Sequence, residues 1–107
     1  MPIVVRPRPE IDDDLSALPN DELRRTALAV IVSLANGPYQ GRSLRGQLSD
    51  CRKIYFDHEG ITERPGWRVV YRLRPNETDP VEADVIAVGP REGLTVYHEA
   101  LARLARA

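Results

Sequence analysis

The chain has 107 residues, of which 42% are hydrophobic and 29% charged, and its formal net charge is −1. This composition predicts one globular domain over residues 1–107, and the single cysteine, Cys51, excludes an intrachain disulfide framework. Because no signal-peptide pattern, metal-ligand spacing or apolar run near the roughly 18 residues of a membrane span occurs, we expect a cytoplasmic protein without metal or cofactor.

The N-terminal part is predicted to contain one strand and two helices. Residues 3–5 form a short strand that the surrounding prolines restrict to a sheet edge. The acidic residues 12–14 are predicted to cap a short helix over residues 15–18, and Asn20 begins the clearest helix, which ends before Gly37. The buried face of that helix is predicted from apolar residues at helical spacing, namely Leu23, Ala27, Ile31 and Leu34, widened by Leu28 and Val30.

Three strand-like runs and a last helix follow. The runs at residues 51–57, 67–73 and 83–88 are rich in β-branched and aromatic residues. Thr95 is the predicted N-cap of a helix that extends to about residue 104. The order of elements predicts an α+β domain: a small, largely antiparallel sheet of about four strands, with two N-terminal helices packed on it and a C-terminal helix.

Positive charge is concentrated in the middle of the chain. Residues 1–40 carry a net charge of −2, residues 41–74 carry +4 and residues 75–107 carry −3. The only lysine, Lys53, lies in the basic segment, and the other 14 basic residues are arginines. Arginine stays protonated in proteins, whereas a lysine crowded by cations is able to lose its proton. The segment therefore predicts a site for a polyanion, with proton transfer at Lys53.

Alternation along the strands predicts where these charges point. Lys53, Tyr55 and Asp57 share one face of the first run, and Arg68 and Arg72 share one face of the second. If the two runs pair as a hairpin, one face of the sheet is expected to be basic and the other to form the core.

Five motifs occur in one order along the chain. They are Leu44-Arg45-Gly46, Asp50-Cys51-Arg52-Lys53-Ile54, Gly66-Trp67-Arg68-Val69-Val70-Tyr71, Val85-Ile86-Ala87-Val88-Gly89-Pro90-Arg91-Glu92 and Val96-Tyr97. With these residues the chain resembles the RelE/ParE toxin superfamily, and its RelE-like branch in particular. The resemblance covers residues 44–104 closely, whereas residues 1–40 agree only in their order of elements.

The resemblance implies the toxin of a type II toxin–antitoxin system, which enters the ribosomal A site and cuts mRNA without metal. The catalytic residues it implies are Lys53, Arg68, Arg91 and Tyr97. Further RNA-binding residues are expected at Arg45, Arg52, Tyr55 and Arg72. Tyr55 stands where the best-known member has a second lysine, its general base. The implied partners are a RelB-like antitoxin, the ribosome and mRNA, and operator DNA only through the antitoxin complex, with no membrane.

These residues suit cleavage of RNA by its own 2′-hydroxyl. Arg68 and Arg91 are expected to bind phosphate oxygens and stabilise the charge of the transition state. Lys53 is expected to act as the base or as an electrostatic partner. Tyr55 or Tyr97 is suited to stacking on a base or orienting the hydroxyl.

Other interpretations remain open at the level of sequence. A ParE-like inhibitor of DNA gyrase would do no chemistry, and a catalytically silent homologue would act only by binding. Tyr97 also fits a core position, because Leu94, Leu101 and Leu104 lie at helical spacing from it. His58 and His98 would allow a two-histidine ribonuclease, although nothing in the sequence ties them together.

Overall fold

In a computed structural model, which describes residues 2–37, 39–61 and 63–106, the chain forms a five-stranded sheet with helices on both faces. The strands are β1 (Val4–Pro7), β2 (Arg42–Ser43), β3 (Cys51–Phe56), β4 (Trp67–Arg74) and β5 (Glu82–Pro90), and the helices are α1 (Glu10–Ser16), α2 (Asp21–Ser33) and α3 (Thr95–Ala105). Within these described segments no helix is both long and apolar enough to cross a membrane.

The strand order is β1-β5-β4-β3-β2, with β1 parallel to β5 and the other neighbours antiparallel. The predicted α+β architecture is confirmed, including the edge position of β1. The fifth strand is β2, whose two residues pair with β3. A run of two residues is too short to show the alternation from which strands are predicted.

Helices α1 and α2 pack on one face of the sheet, where the larger core lies. The N-terminus of α2 is capped as predicted, because the Asn20 side chain accepts a hydrogen bond from the Leu23 amide at 3.0 Å. The predicted buried face of α2 is confirmed, since four of its residues are buried: Leu23, Ala27, Ile31 and Leu34. The inclusion of Leu28 in that face was wrong, since 47% of its surface is exposed.

Helix α3 packs on the other face of the sheet. Its residues Val96 and Ala100 form a second core with Cys51, Val70 and Ile86 from the strands. The expectation of one basic face and one core face is therefore wrong. The apolar side of α3 is buried against the middle of β4 and β5, so this face of the sheet contains a core as well as basic residues.

Two helices begin differently from the prediction. Helix α1 begins at Glu10, so the acidic residues expected to cap it lie inside it, and Pro9 occupies the cap position without a side-chain hydrogen bond. Thr95 is the first residue of α3, and the cap position belongs to Leu94, whose φ of 58° is left-handed. The backbone turn at residues 92–94, in which the Thr95 hydroxyl donates to the Glu92 carbonyl at 2.9 Å, replaces the predicted cap.

An ion pair joins α1, α3 and β5. Strand β1 pairs with β5 only as far as Val85, which leaves the following edge of β5 without a neighbouring strand. The Asp14 carboxylate accepts from the Val88 amide at 3.0 Å, and Arg103 donates to the Ile86 carbonyl at 3.0 Å. Arg103 also binds Asp14 through two contacts of 2.6 and 2.8 Å. These two side chains therefore complete the edge hydrogen bonding of β5.

Candidate functional site

A cluster of cations and tyrosines lies on the α3 face of the sheet. In the β3–β4 register Tyr55 pairs with Arg68 and Lys53 with Val70, which places both β3 side chains on the same face as Arg68. The Lys53 Nζ lies 5.5 Å from the ring centroid of Tyr55 and 5.7 Å from that of Tyr97. The structure thus brings together four of the residues that the sequence predicted for the site.

Arg68 is held from several sides. Its side chain is buried, with the residue only 7% exposed, and its guanidinium carbon lies 4.0 Å from the centroid of the Tyr55 ring. Its Nη1 donates to the carbonyls of Pro65 at 2.6 Å and Trp67 at 2.9 Å. Its Nε is buried and has no hydrogen-bond acceptor in the described parts of the chain. The described hydrogen bonds of the guanidinium therefore all use Nη1, and the Nε–H is a buried donor without an acceptor among the described residues.

Arg91 lies at the end of β5, in the same open groove as Arg68. It is exposed, and its amide donates to the Gly66 carbonyl at 2.9 Å. The groove has a volume of about 700 Å³ and is lined by Arg64, Pro65, Gly66, Trp67, Arg68, Pro90, Arg91 and Glu92. Arg68 and Arg91 therefore border one cavity large enough for a nucleotide-sized ligand.

The three cations of this site form no ion pair with a described carboxylate, unlike about half of the arginines in the described residues. No ion pair in the described residues includes Lys53, Arg68 or Arg91. Arg8 and Arg72, by contrast, both bind Asp84, at 3.1 and 3.0 Å. The groove therefore carries a positive balance, with three arginines and one carboxylate, Glu92, among its lining residues.

The position of Tyr97 satisfies the geometry of both interpretations that the sequence left open. It lies in the first turn of α3 and is half-buried against the core under that helix. It also faces Lys53 across the cluster. Leu94, which was expected to accompany it in the core, is 47% exposed.

The predicted RNA-binding arginines do not all join the cluster. Arg52 alternates with Lys53 and lies on the opposite face, where it binds Glu77 at 2.7 Å and the Tyr39 carbonyl at 2.6 Å. Its hydrogen bond to Glu77 raises the pKa of Arg52. Arg72 shares the face of the cluster, but its Nε binds Asp84. Arg45 is exposed next to the short turn Gly46–Leu48, which contacts α3.

The two histidines are separated by the sheet. The His58 ring contacts Asn20 at 2.8 Å, at the N-terminus of α2, whereas His98 is exposed on α3. The two-histidine arrangement is therefore not formed. Cys51 is buried as expected, and burial raises the pKa of its thiol to about 11, which keeps it protonated near neutral pH.

Arg64 and Asp57 were not assigned to the site from the sequence. Arg64 has a left-handed φ of 48° and lines the groove beside Arg68. Asp57 accepts from the Gly66 amide at 2.7 Å, so it shapes the groove wall through the backbone. The sequence signal for both was the pair Pro65-Gly66, which marks a turn ahead of β4. Within the described residues, no group of three or more histidine, cysteine or acidic side chains is arranged to hold a metal ion.

A mixed sheet with two N-terminal helices on one face and a C-terminal helix on the other is the RelE-like toxin fold. The recognition of this fold from the sequence motifs is confirmed by comparison with solved structures. The free state of the E. coli toxin RelE, an arginine double mutant, aligns with a TM-score of 0.71 and 26% identity over 97% of this chain and 99% of that chain.

Two complexes show the same likeness. The E. coli RelE mutant bound to a peptide of its antitoxin RelB aligns with a TM-score of 0.63 and 26% identity, over 94% of this chain and 95% of that one. The RelBE2 toxin–antitoxin complex of Mycobacterium tuberculosis aligns with a TM-score of 0.51 and 23% identity, over 85% and 100%. The last comparison supports the fold alone. No family model and no curated protein sequence matches the chain.

Proposed function

We propose that this protein is the toxin of a toxin–antitoxin pair and acts as a ribosome-dependent, metal-independent mRNA endoribonuclease. The observation that carries the proposal is the grouping of Lys53, Arg68 and Tyr97 on one face, with Arg91 in the adjoining groove and no carboxylate paired to the three cations in the described residues. Because a fold alone does not define an activity, the argument depends on this site.

In the proposed reaction the RNA 2′-hydroxyl loses its proton and attacks the adjacent phosphorus. A 2′,3′-cyclic phosphate forms as the bond to the 5′-oxygen breaks, and the 5′-oxygen takes up a proton from solvent or from a protonated side chain. Lys53 takes the proton of the hydroxyl or stabilises the resulting negative charge. Arg68 and Arg91 bind the non-bridging oxygens, whose negative charge increases in the transition state. Tyr97, 5.7 Å from the Lys53 ammonium, positions the nucleotide by stacking or by its hydroxyl.

The partners belong to the same proposal. A RelB-like antitoxin is expected to bind the toxin and block its basic site, since two of the similar solved structures contain an antitoxin component. Operator DNA is expected to be bound only through the toxin–antitoxin complex. Because the ribosome and mRNA are the targets, the protein acts in the cytoplasm.

The first experiment is induced expression without an antitoxin, comparing the natural chain with Arg91→Ala. Arg91 is exposed and makes its described hydrogen bond through the backbone, so the substitution is expected to leave the fold intact. Growth arrest with new mRNA 5′ ends inside translated codons, lost in Arg91→Ala, is the expected result. Arg106→Ala is the control, because it removes one exposed arginine that pairs with Glu10 and does not line the groove.

Two results would contradict the proposal. Arrest with intact mRNA and damaged DNA would indicate a gyrase inhibitor of the ParE kind. Absence of arrest, with the folded protein present in the cells, would indicate a silent homologue that acts by binding.

A further inference from the structure

One carboxylate, that of Asp57, accepts hydrogen bonds from both ends of the segment that connects β3 to β4. Asp57 follows β3 directly, and its side chain is 13% exposed. One of its oxygens accepts from the His58 amide at 2.7 Å, and the other accepts from the Gly66 amide at 2.7 Å, nine residues further on. The two ends of the connection are therefore fixed to each other by charge-assisted hydrogen bonds. Burial raises the pKa of Asp57, but the bonds from Gly66 and His58 outweigh it and hold the pKa below its usual value.

The backbone fixed in this way contacts both arginines of the groove. The Pro65 carbonyl accepts from Arg68 Nη1 at 2.6 Å, and the Gly66 carbonyl accepts from the Arg91 amide at 2.9 Å. One short backbone segment thus fixes the position of the Arg68 guanidinium and of the turn that contains Arg91. Displacement of that segment would move both cations together.

A second set of contacts ties the same carboxylate to helix α2. The Asn20 side-chain oxygen accepts from the Leu23 amide, so its Nδ2 is the group that faces His58 Nε2, at 2.8 Å. Nε2 is then the acceptor of the imidazole, and Nδ1 donates to Asp57 at 3.1 Å. Asp57 is therefore linked to helix α2 through His58 and Asn20, and it binds the groove backbone at Gly66.

We propose that Asp57 is a positioning residue of the cleavage site, which sets Arg68 and Arg91 through the Pro65–Gly66 backbone. The inference depends on the proposed endoribonuclease function for its kinetic consequence. Asp57 itself touches no reacting atom. Its role is to keep two phosphate-binding cations in one geometry, and misplacement of such groups by about 1 Å lowers rates by up to about a hundredfold.

The test replaces the carboxylate by an amide of the same shape, Asp57→Asn. The amide nitrogen faces a backbone N–H in place of an acceptor oxygen, so one of the two backbone bonds is lost. The other bond loses its charge assistance, so the contact to the Gly66 amide is either broken or weakened. The single-turnover rate of mRNA cleavage on programmed ribosomes is expected to fall at least about tenfold, while binding to the ribosome changes less than about threefold. Asp79→Asn, an exposed aspartate between β4 and β5, is the matched control and is expected to keep the natural rate.

A structural measurement separates this inference from the proposed function. In ¹⁵N–¹H spectra, Asp57→Asn is expected to shift the amides of Gly66 and Arg91 and to speed hydrogen exchange at Gly66, whereas Asp79→Asn leaves both unchanged. If the natural chain cleaves no mRNA, the endoribonuclease proposal fails. The Gly66 and Arg91 amide signals still show whether Asp57 fixes the geometry of the groove. A natural cleavage rate in Asp57→Asn, or unchanged Gly66 and Arg91 amides, would overturn the inference.

A second variant covers the case in which Asp57→Asn does not fold. Asp57→Glu keeps the charge but moves the carboxylate by one methylene, which is too far for both amides to keep their geometry. A reduced cleavage rate with natural ribosome binding supports the positioning role. A natural rate in this variant overturns it.

Discussion

Tyr55 supports Arg68 in the groove although it occupies the position where the resemblance implied a lysine. Its ring lies 4.0 Å from the guanidinium carbon of Arg68 and 5.5 Å from the Lys53 ammonium nitrogen. A cation over the face of a tyrosine is stabilised by about 1 kcal/mol, and by more when water is excluded. Because Arg68 is buried, the ring is well placed to fix the direction of the guanidinium.

The role of the Tyr55 ring predicts different effects for two substitutions. Tyr55→Phe keeps the ring and is expected to cleave mRNA within about threefold of the natural rate. Tyr55→Ala removes it and is expected to lower the rate about tenfold, which corresponds to roughly 1.4 kcal/mol. Single-turnover cleavage on programmed ribosomes measures both. An equal loss in the two variants would contradict the packing role and assign the function to the hydroxyl.

Alternation along the strands predicted part of the site and also shows why one residue was misplaced. It brought Lys53, Tyr55 and Arg68 to one face, which the register of β3 and β4 confirms. The same alternation places Arg52 on the other face, where it pairs with Glu77. Arg52 therefore belongs to the basic segment of the sequence, but its side chain lies on the face of the sheet opposite the cluster. The link from Asp57 to Arg91 was not predictable, since it runs through backbone groups whose partners are set only by the folded chain.

Among the elements, α3 is attached to the rest of the fold by the buried pair Asp14–Arg103. The side chains are 10% and 8% exposed, and they satisfy the free edge of β5 at Val88 and Ile86. The hydrogen bond to Asp14 raises the pKa of Arg103, partly opposed by burial. Removal of Asp14 leaves the buried Arg103 with Glu99, whose side chain is 49% exposed, as its remaining carboxylate partner, and it leaves the Val88 amide without its acceptor. Removal of one partner of a buried pair is more costly than replacement of both.

The Asp14–Arg103 pair therefore predicts a large loss of stability from one substitution. Asp14→Ala is expected to lower the free energy of unfolding by about 2 kcal/mol, measured by urea denaturation, because Arg103 keeps Glu99 as a partner but the Val88 amide loses its acceptor. Asp13→Ala, at the exposed neighbouring position in α1, is the control and is expected to change it by less than about 0.5 kcal/mol. The double variant Asp14→Leu with Arg103→Met should recover part of the loss. Equal stability of Asp14→Ala and Asp13→Ala would show that the pair does not hold α3.

The elements themselves were predictable to different degrees. Strands β3, β4 and β5 carry long apolar patterns, and their predicted positions agree with the structure within one or two residues. Helix α2 begins as predicted but ends at Ser33, about three residues before the predicted end. The pattern of α3 showed which side of the helix is apolar, but not which face of the sheet it covers. The structure places α3 on the face where an irregular register between β4 and β5, at Val70 and Tyr71, leaves both Ile86 and Ala87 in the α3 core. A local pattern does not contain such an irregularity.

At the scale of the molecule, the sheet separates two cores that each bury one titratable side chain. Cys51 lies in the α3 core, and Tyr71 lies in the core under α1 and α2. Burial raises the pKa of Cys51 to about 11 and that of Tyr71 to about 12, from ordinary values of 9.0 and 10.0. Both groups are therefore neutral in the folded chain at a pH where the unfolded chain has already lost the proton.

This difference predicts that the folded state loses stability in alkali. Between pH 9 and 11 the folded chain binds more protons than the unfolded one, so the free energy of unfolding falls as pH rises. Cys51 contributes on the order of 2 kcal/mol by pH 11, and Tyr71 begins to contribute above pH 10. Urea denaturation between pH 8 and 11 measures the decline. Cys51→Ala, which leaves a small cavity but no thiol, is expected to be less stable at pH 8 and to lose less between pH 9 and 11. The same alkaline decline in Cys51→Ala and in the natural chain would show that the thiol is not protected by the α3 core.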